Sequence, residues 1–247
     1  MKDILLKLGI LTAAIVIVVL GVVLVRAKTQ KVQNPIATIQ IEGYDKPVKI
    51  ELDPQSAPNT VANFIKLANN GFYNDYKMSI EANQIMSDVT NEKATLSKIK
   101  ENPEGDFAYG IKADTLSNGV KNYIKHKKGV VTMINESYGY YEDLYNTANN
   151  TFSILTDDLD SYNEIYAGFG HVVDGMDVLE QISASRVEEK AEDTENNAET
   201  NNEENAEEKN KITIKSITVD TFGVDYGVPE YVNYDELMKK FNSRQSY

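Results

Sequence analysis

Val48-Lys-Ile-Glu-Leu-Asp-Pro-Gln-Ser-Ala-Pro-Asn-Thr-Val-Ala-Asn-Phe-Ile-Lys-Leu-Ala-Asn-Asn-Gly-Phe-Tyr73 changes its hydrophobic period once, and the change organises the domain around it. Up to Leu52 apolar and polar residues alternate, which suits one half-buried strand. After Ala57-Pro58-Asn59-Thr60 the apolar residues Val61, Phe64, Ile65 and Ala68 recur at helical spacing. Pro58 stands in the first turn, where its missing N–H costs nothing, and Gly71 ends the helix.

Outward from this stretch, Ile36-Ala-Thr-Ile-Gln-Ile41 also alternates and reaches Val48 through Gly43-Tyr44-Asp45, so the two runs predict an antiparallel pair. Further strands are expected over Gly129 to Ile134, Thr151 to Leu155 and Ala167 to Val172, a second helix over Gly175 to Ile182, and a closing strand over Ile212 to Val219. Many strands with one helix after the second and another before the last predict an α+β or barrel domain with helices at its ends. Residues 223–247 form a C-terminal extension with a helix expected over Tyr234 to Phe241.

Residues 188–211 interrupt the pattern with ten Asp/Glu, three Lys and no Val, Ile, Leu, Phe, Tyr or Met. Such a run buries too little surface to offset its ordering entropy and reads as a disordered acidic loop inserted at a surface turn. It contributes −7 to a formal net charge of −13. Lys and Arg total 25 against 38 Asp and Glu, a balance that argues against nucleic acid as a partner, since phosphate contacts need clustered cations. The chain has no Cys and 2 His, which excludes disulfides, thiolate chemistry and a lipid-modified cysteine and argues against a metal site.

At the N-terminus, Leu8 to Val25 carries no charge over 18 residues, enough helix at ~1.5 Å each nearly to span a ~30 Å hydrocarbon core. A cleaved signal peptide competes with a retained anchor; the run ends Val-Leu-Val-Arg-Ala-Lys, which lacks a small-residue cleavage pattern, so the retained anchor is the expectation. The sequence is therefore divided into a transmembrane anchor over 1–26, a polar linker over 27–35 and a soluble domain over 36–222. Flanking Lys and Arg give no clear vote on orientation; a short Met-Lys start of the signal-anchor kind suggests a single-pass protein of the cell membrane with its domain outside the cytoplasm.

Three ordered segments resemble the cyclophilins. The stretch from Val48 to Tyr73 resembles the family's second strand and first helix, through its closing Gly-Phe-Tyr. Asn118 to Met133 is similar to the run from an Asn-Gly loop to a His-x-x-Gly-x-x-x-Met strand. Tyr166 to Ile182 resembles the Phe-Gly-x-Val-x-x-Gly-Met strand and second helix. The resemblance implies a mainly β fold, a closed eight-stranded antiparallel barrel with two capping helices. It also implies peptidyl-prolyl cis-trans isomerase activity on proline-containing or unfolded polypeptide.

That reaction rotates an amide whose barrier is ~20 kcal/mol. The twisted amide has a more basic nitrogen and a more polarised carbonyl, so a catalyst needs a fixed cationic donor beside it and an apolar pocket for the ring. No cofactor, metal or nucleophile is required. The resemblance implies an Arg from a Phe-His-Arg motif as donor, with Phe and Met side chains and a Gln as the pocket. Counting from Gly71-Phe72-Tyr73, those positions fall on Met78-Ser79-Ile80, so Ile80 stands where the family carries its Arg, and residues 74–92 contain no Arg in any register. The Phe-Met pair falls on Ile85-Met86 and the Gln near Asp88. Thr151, Phe152 and Ser153 fall on a Gln-Phe-Phe run, Tyr166 on a His or Tyr, and Asn135 on a position offering backbone contacts to peptide. Met86, Asp88, Asn135, Thr151, Phe152, Ser153 and Tyr166 are the groove candidates this implies.

Two functions follow: an extracytoplasmic isomerase acting as a folding factor, or a catalytically inactive chaperone or adaptor that binds polypeptide at the membrane surface. Three smaller features complete the reading. Asp157, Asp158 and Asp160 read as a solvated turn, because a calcium loop would need a Gly and closing Glu they lack. Tyr138, Tyr140, Tyr141 and Tyr145 form an aromatic loop, either a contact surface or local packing. His126 reads as a structural hydrogen-bonder.

Overall fold

The alternating runs pair as their pattern requires. Strand β1 (Ile36–Ile41) lies antiparallel to β2 (Val48–Leu52), with Ala37 opposite Ile50 and Ile39 opposite Val48, all buried on one face. The computed structural model describes residues 33–87, 109–137, 141–184 and 210–245. The expected anchor over 1–26 and most of the linker and acidic insertion lie outside those residues, and among the described residues no helix is long and apolar enough to cross a membrane.

Six further strands complete the barrel: β3 (Tyr76–Glu81), β4 (Gln84–Ser87), β6 (Val130–Met133), β7 (Phe152–Leu155), β8 (Ala167–Asp174) and β9 (Lys211–Asp220). They close in the order β1-β2-β8-β6-β7-β4-β3-β9, every neighbouring pair antiparallel. Closure leaves no unpaired edge in the ring. The hairpin β3–β4 is not among the expected strands, although Tyr76-Lys-Met-Ser-Ile-Glu81 alternates apolar and polar residues throughout; only β4, at four residues, is too short to declare a period.

Helix α1 (Pro58–Asn69) buries Val61, Phe64, Leu67 and Ala68 in the core, and a second helix, α2, over 176–184 adds Val178, Leu179 and Ile182. Burying side chains of this size stabilises by roughly 1.5–3 kcal/mol each. Phe64 is an aromatic hub, its ring centroid 5.4 Å from Tyr73, 5.5 Å from Phe152 and 5.1 Å from Phe169. The N-terminus of α1 has no side-chain cap of its own; Asp114, from a distant loop, accepts the Thr60 N–H at 2.7 Å. Gly71 ends this helix at φ +72°, a conformation other residues rarely adopt.

The C-terminal extension packs against the domain. Strand β10 (Tyr231–Asn233) pairs antiparallel with β5 (Tyr109–Ile111), and helix α3 (Tyr234–Gln245) runs on from it. Tyr141 meets Phe241 edge-on at 5.0 Å, Arg244 pairs with Asp143, and the Tyr234 hydroxyl donates to Glu136 at 2.6 Å. Of the tyrosine loop, Tyr141 stays exposed beside Phe241 of this helix and Tyr145 is buried; Tyr138 and Tyr140 lie outside the described residues.

Candidate functional site: a polar row across the outer barrel wall

Cross-strand neighbours in an antiparallel sheet share a face, so the register fixes what the outer wall displays. Ser79 on β3 lies opposite Met86 on β4, Met86 opposite Ser153 on β7, Ser153 opposite Thr132 on β6, and Thr132 opposite Gly168 on β8. On its other side Ser79 faces Lys211 of β9. The next row inward, Ile80, Ile85, Ile154 and Val131, lies in the hydrophobic core.

This alternation fixes where two of the residues singled out in the sequence lie. Ile80 is 5% exposed and packs as a cross-strand pair with Ile85 inside the barrel, so its side chain is not on the groove wall. Phe152 is fully buried against Phe64 and Tyr73, because on β7 it shares the inward parity of Ile154; Ser153 takes the outward place between them. Met86 and Ser153 are cross-strand neighbours on the outer row, Met86 half-buried and Ser153 fully buried. Thr151 lies one step along β7, its carbonyl accepting the Ile134 N–H at 2.8 Å. Asn135 follows on the neighbouring segment, its amide committed to the Ile165 carbonyl at 3.1 Å and its Oδ1 to the Ser137 N–H at 3.0 Å. Tyr166 enters β8 with its ring 4.6 Å from Tyr162. Asp88 lies outside the described residues.

A hydrogen-bonded roof that the sequence did not disclose covers the row. The Ser153 hydroxyl donates to Gln84 Oε1 at 2.7 Å, and Gln84 Nε2 donates to the Tyr162 hydroxyl at 2.9 Å. Below it His126 is buried between Thr132 Oγ1, 2.9 Å from Nε2, and Asn163 Oδ1, 3.2 Å from Nδ1. A carboxamide oxygen only accepts, so Nδ1 carries the proton and Nε2 accepts from Thr132. Burial holds the His126 pKa below its ordinary value, against the opposing Asn163 bond. His126 is thus a neutral structural hydrogen-bonder, as the sequence suggested. Gln84 and Tyr162 are invisible in sequence because 78 residues separate them and only barrel closure brings them together.

Ser153 and Thr132 are fully buried, their hydroxyls engaged with Gln84 and His126, so what the row presents outward is the half-buried Ser79 hydroxyl, Met86 thioether and Gln84 carboxamide. Among the described residues Arg244 is the one arginine, and it is engaged with Asp143 on the C-terminal helix. Lys211 is the cation that the register sets in the row, and a flexible ammonium does not reproduce a planar guanidinium fork. Asp158 and Asp160 pair with Lys127 at 3.1 and 3.0 Å, the solvated turn expected of them, and among the described residues no group of three His, Cys, Asp or Glu could hold a metal ion.

Comparison with known proteins matches residues 36–219 to the model of the cyclophilin type peptidyl-prolyl cis-trans isomerase/CLD family. Among solved structures, a cyclophilin type peptidyl-prolyl cis-trans isomerase of Cryptosporidium parvum superposes with a TM-score of 0.52 at 19% identity, covering 75% of this chain and 96% of that one. The same enzyme crystallised in the presence of the dipeptide Ala-Pro gives a TM-score of 0.51 at 19% identity, covering 75% of this chain and 98% of that one. At that identity the likeness is one of fold.

Proposed function

The chain belongs to the cyclophilin-type peptidyl-prolyl cis-trans isomerase family, and from that premise we propose that it binds proline-containing or unfolded polypeptide over the half-buried Ser79, Gln84 and Met86, above the buried Ser153 and Thr132, while turning it over weakly. The observation that carries this reading is the outer row itself: Ser153 lies between Met86 and Thr132 under a Gln84–Tyr162 roof, with no guanidinium beside it among the described residues. Removing one preorganised electrostatic donor costs ~10²–10³ in rate in well-studied enzymes, and here the aromatic pocket floor is replaced as well. Backbone groups and apolar contacts are a recurring means of holding an extended chain, and the parasite relative was crystallised in the presence of a proline dipeptide, Ala-Pro. The uncharged N-terminal run supports a place at the membrane surface, and its Met-Lys start supports a domain outside the cytoplasm. The protein then serves as a tethered chaperone or adaptor of the cyclophilin class.

The test is NMR exchange spectroscopy of an Ala-Pro tetrapeptide with the full chain in detergent micelles. The expected result is saturable binding, with shifts at Met86 and Thr132, and exchange accelerated by less than about tenfold. Acceleration beyond about 10³-fold would establish an efficient isomerase and overturn the reading. Absence of binding would overturn it from the other side.

A further inference from the structure

A cavity of about 290 Å³ opens away from the outer row, between the first turns of α1, the loop after β5 and the segment leading into β10. Its volume is at the low end of ligand pockets, ~300–1,000 Å³, so it suits one side chain rather than a cofactor. Pro58, Ala62, Val120 and Val228 give it apolar walls. The wall carrying Tyr226, Val228 and Glu230 lies beyond the family match, which ends at residue 219, so this cavity is a feature of the extension.

Asn59 fixes that wall: its Nδ2 donates to the Lys112 carbonyl at 2.6 Å and its Oδ1 accepts the Glu230 N–H. Lys112 and Glu230 pair at 3.3 Å. Two polar groups on the lining bear on what the cavity accepts, and Asp114 already takes the Thr60 N–H at 2.7 Å. Asp114 is 2% exposed, and burial raises its carboxyl above the ordinary range against the opposing bonds from Thr60 and Asn59. The Tyr226 hydroxyl is buried without a hydrogen-bond partner among the described residues. Two carboxylates, Asp114 and Glu230, against one ammonium, Lys112, leave the lining at net −1. Val228, 68% exposed, stands on the wall as an apolar contact.

We propose that this cavity receives a lysine or arginine side chain of a bound polypeptide, its cation against Asp114, its stem along Val120 and Val228, and a flanking carbonyl on the Tyr226 hydroxyl. A cation there compensates the buried carboxylate, and a long aliphatic stem with a charged head matches apolar walls around an acidic floor. The site is independent of turnover in the outer row.

The experiment titrates the full chain in micelles with N-acetyl-Gly-Arg-Gly-amide and with its Gly-Leu-Gly counterpart, read by calorimetry and by NMR shifts. The arginine peptide should bind at least tenfold tighter, with shifts at Asp114 and Tyr226 and none at Met86 or Thr132. Val228→Trp, which crowds the wall, and Asp114→Asn should each abolish that preference. Because Asp114 also caps α1, a lowered melting temperature in its variant leaves Val228→Trp and Tyr226→Phe to decide. Equal affinity for the two peptides, shifts confined to the outer row, or a preference that survives Val228→Trp would overturn the proposal.

Discussion

Placing an arginine at residue 80 should destabilise this protein without restoring catalysis. Ile80 is 5% exposed, pairs with Ile85 across the β3–β4 hairpin and belongs to the main core. A buried ion carries an effective penalty of several kcal/mol even after relaxation, and no carboxylate shares this inward row of Ile85, Ile154 and Val131. The turn at Ala82 and Asn83 is two residues away, so the arginine stem can lead its head part-way to water and reduce the cost. A net destabilisation of about 3 kcal/mol results, which at roughly 2–4 °C per kcal/mol for a domain of this size lowers the melting temperature by about 6–12 °C. Ile80→Met keeps the volume without the charge and should cost less than about 1.5 kcal/mol. Thermal unfolding of both variants by circular dichroism, with prolyl isomerisation on each, separates charge from shape. An Ile80→Arg protein melting within about 2 °C of Ile80→Met, with turnover raised about 100-fold or more, would show that residue 80 reaches the outer wall and refute the assignment of its side chain to the core.

Two further outcomes are expected. Burial keeps His126 neutral in the fold, its pKa below the unfolded value near 6.5, so the unfolded chain takes up the proton first as pH falls. Its contribution to stability is whole above about pH 6.5 and is lost as pH drops through the folded pKa. Urea unfolding between about pH 5 and 7.5 should show a steeper loss for the wild type than for His126→Gln, and identical slopes would remove His126 from the account. Gly110→Ala should destabilise by at least 1–3 kcal/mol, roughly the range for overpacking, because a Cβ there would come within 1.9 Å of the Asn146 carbonyl oxygen. An unchanged urea midpoint for that variant would contradict the close packing of β5 on the Glu142–Thr147 turn.

The sequence by itself determined β1, β2, α1, α2 and β9 from their period and located β6, β7 and β8 from shorter apolar runs, while the closed barrel was what the family resemblance implied. The first five carry alternating or helical apolar spacing over five residues or more, and their burial dictates their form. It also determined that residues 74–92, where the resemblance places the family's arginine, contain no Arg in any register. What only the tertiary structure decided was which side of each strand faces the groove. A one-residue change of parity turns a side chain from wall to core, and three- or four-residue strands such as β4 and β7 cannot declare parity alone. That is why Phe152 proves to be a core residue and why Gln84 and Tyr162 emerge as the roof, whereas Ile80 shares the apolar face of β3 with Tyr76 and Met78, a parity its six alternating residues already carry. The same holds for β5 with β10 and for the cavity at Asp114, which join residues more than 50 positions apart through hydrogen bonds that no local pattern encodes.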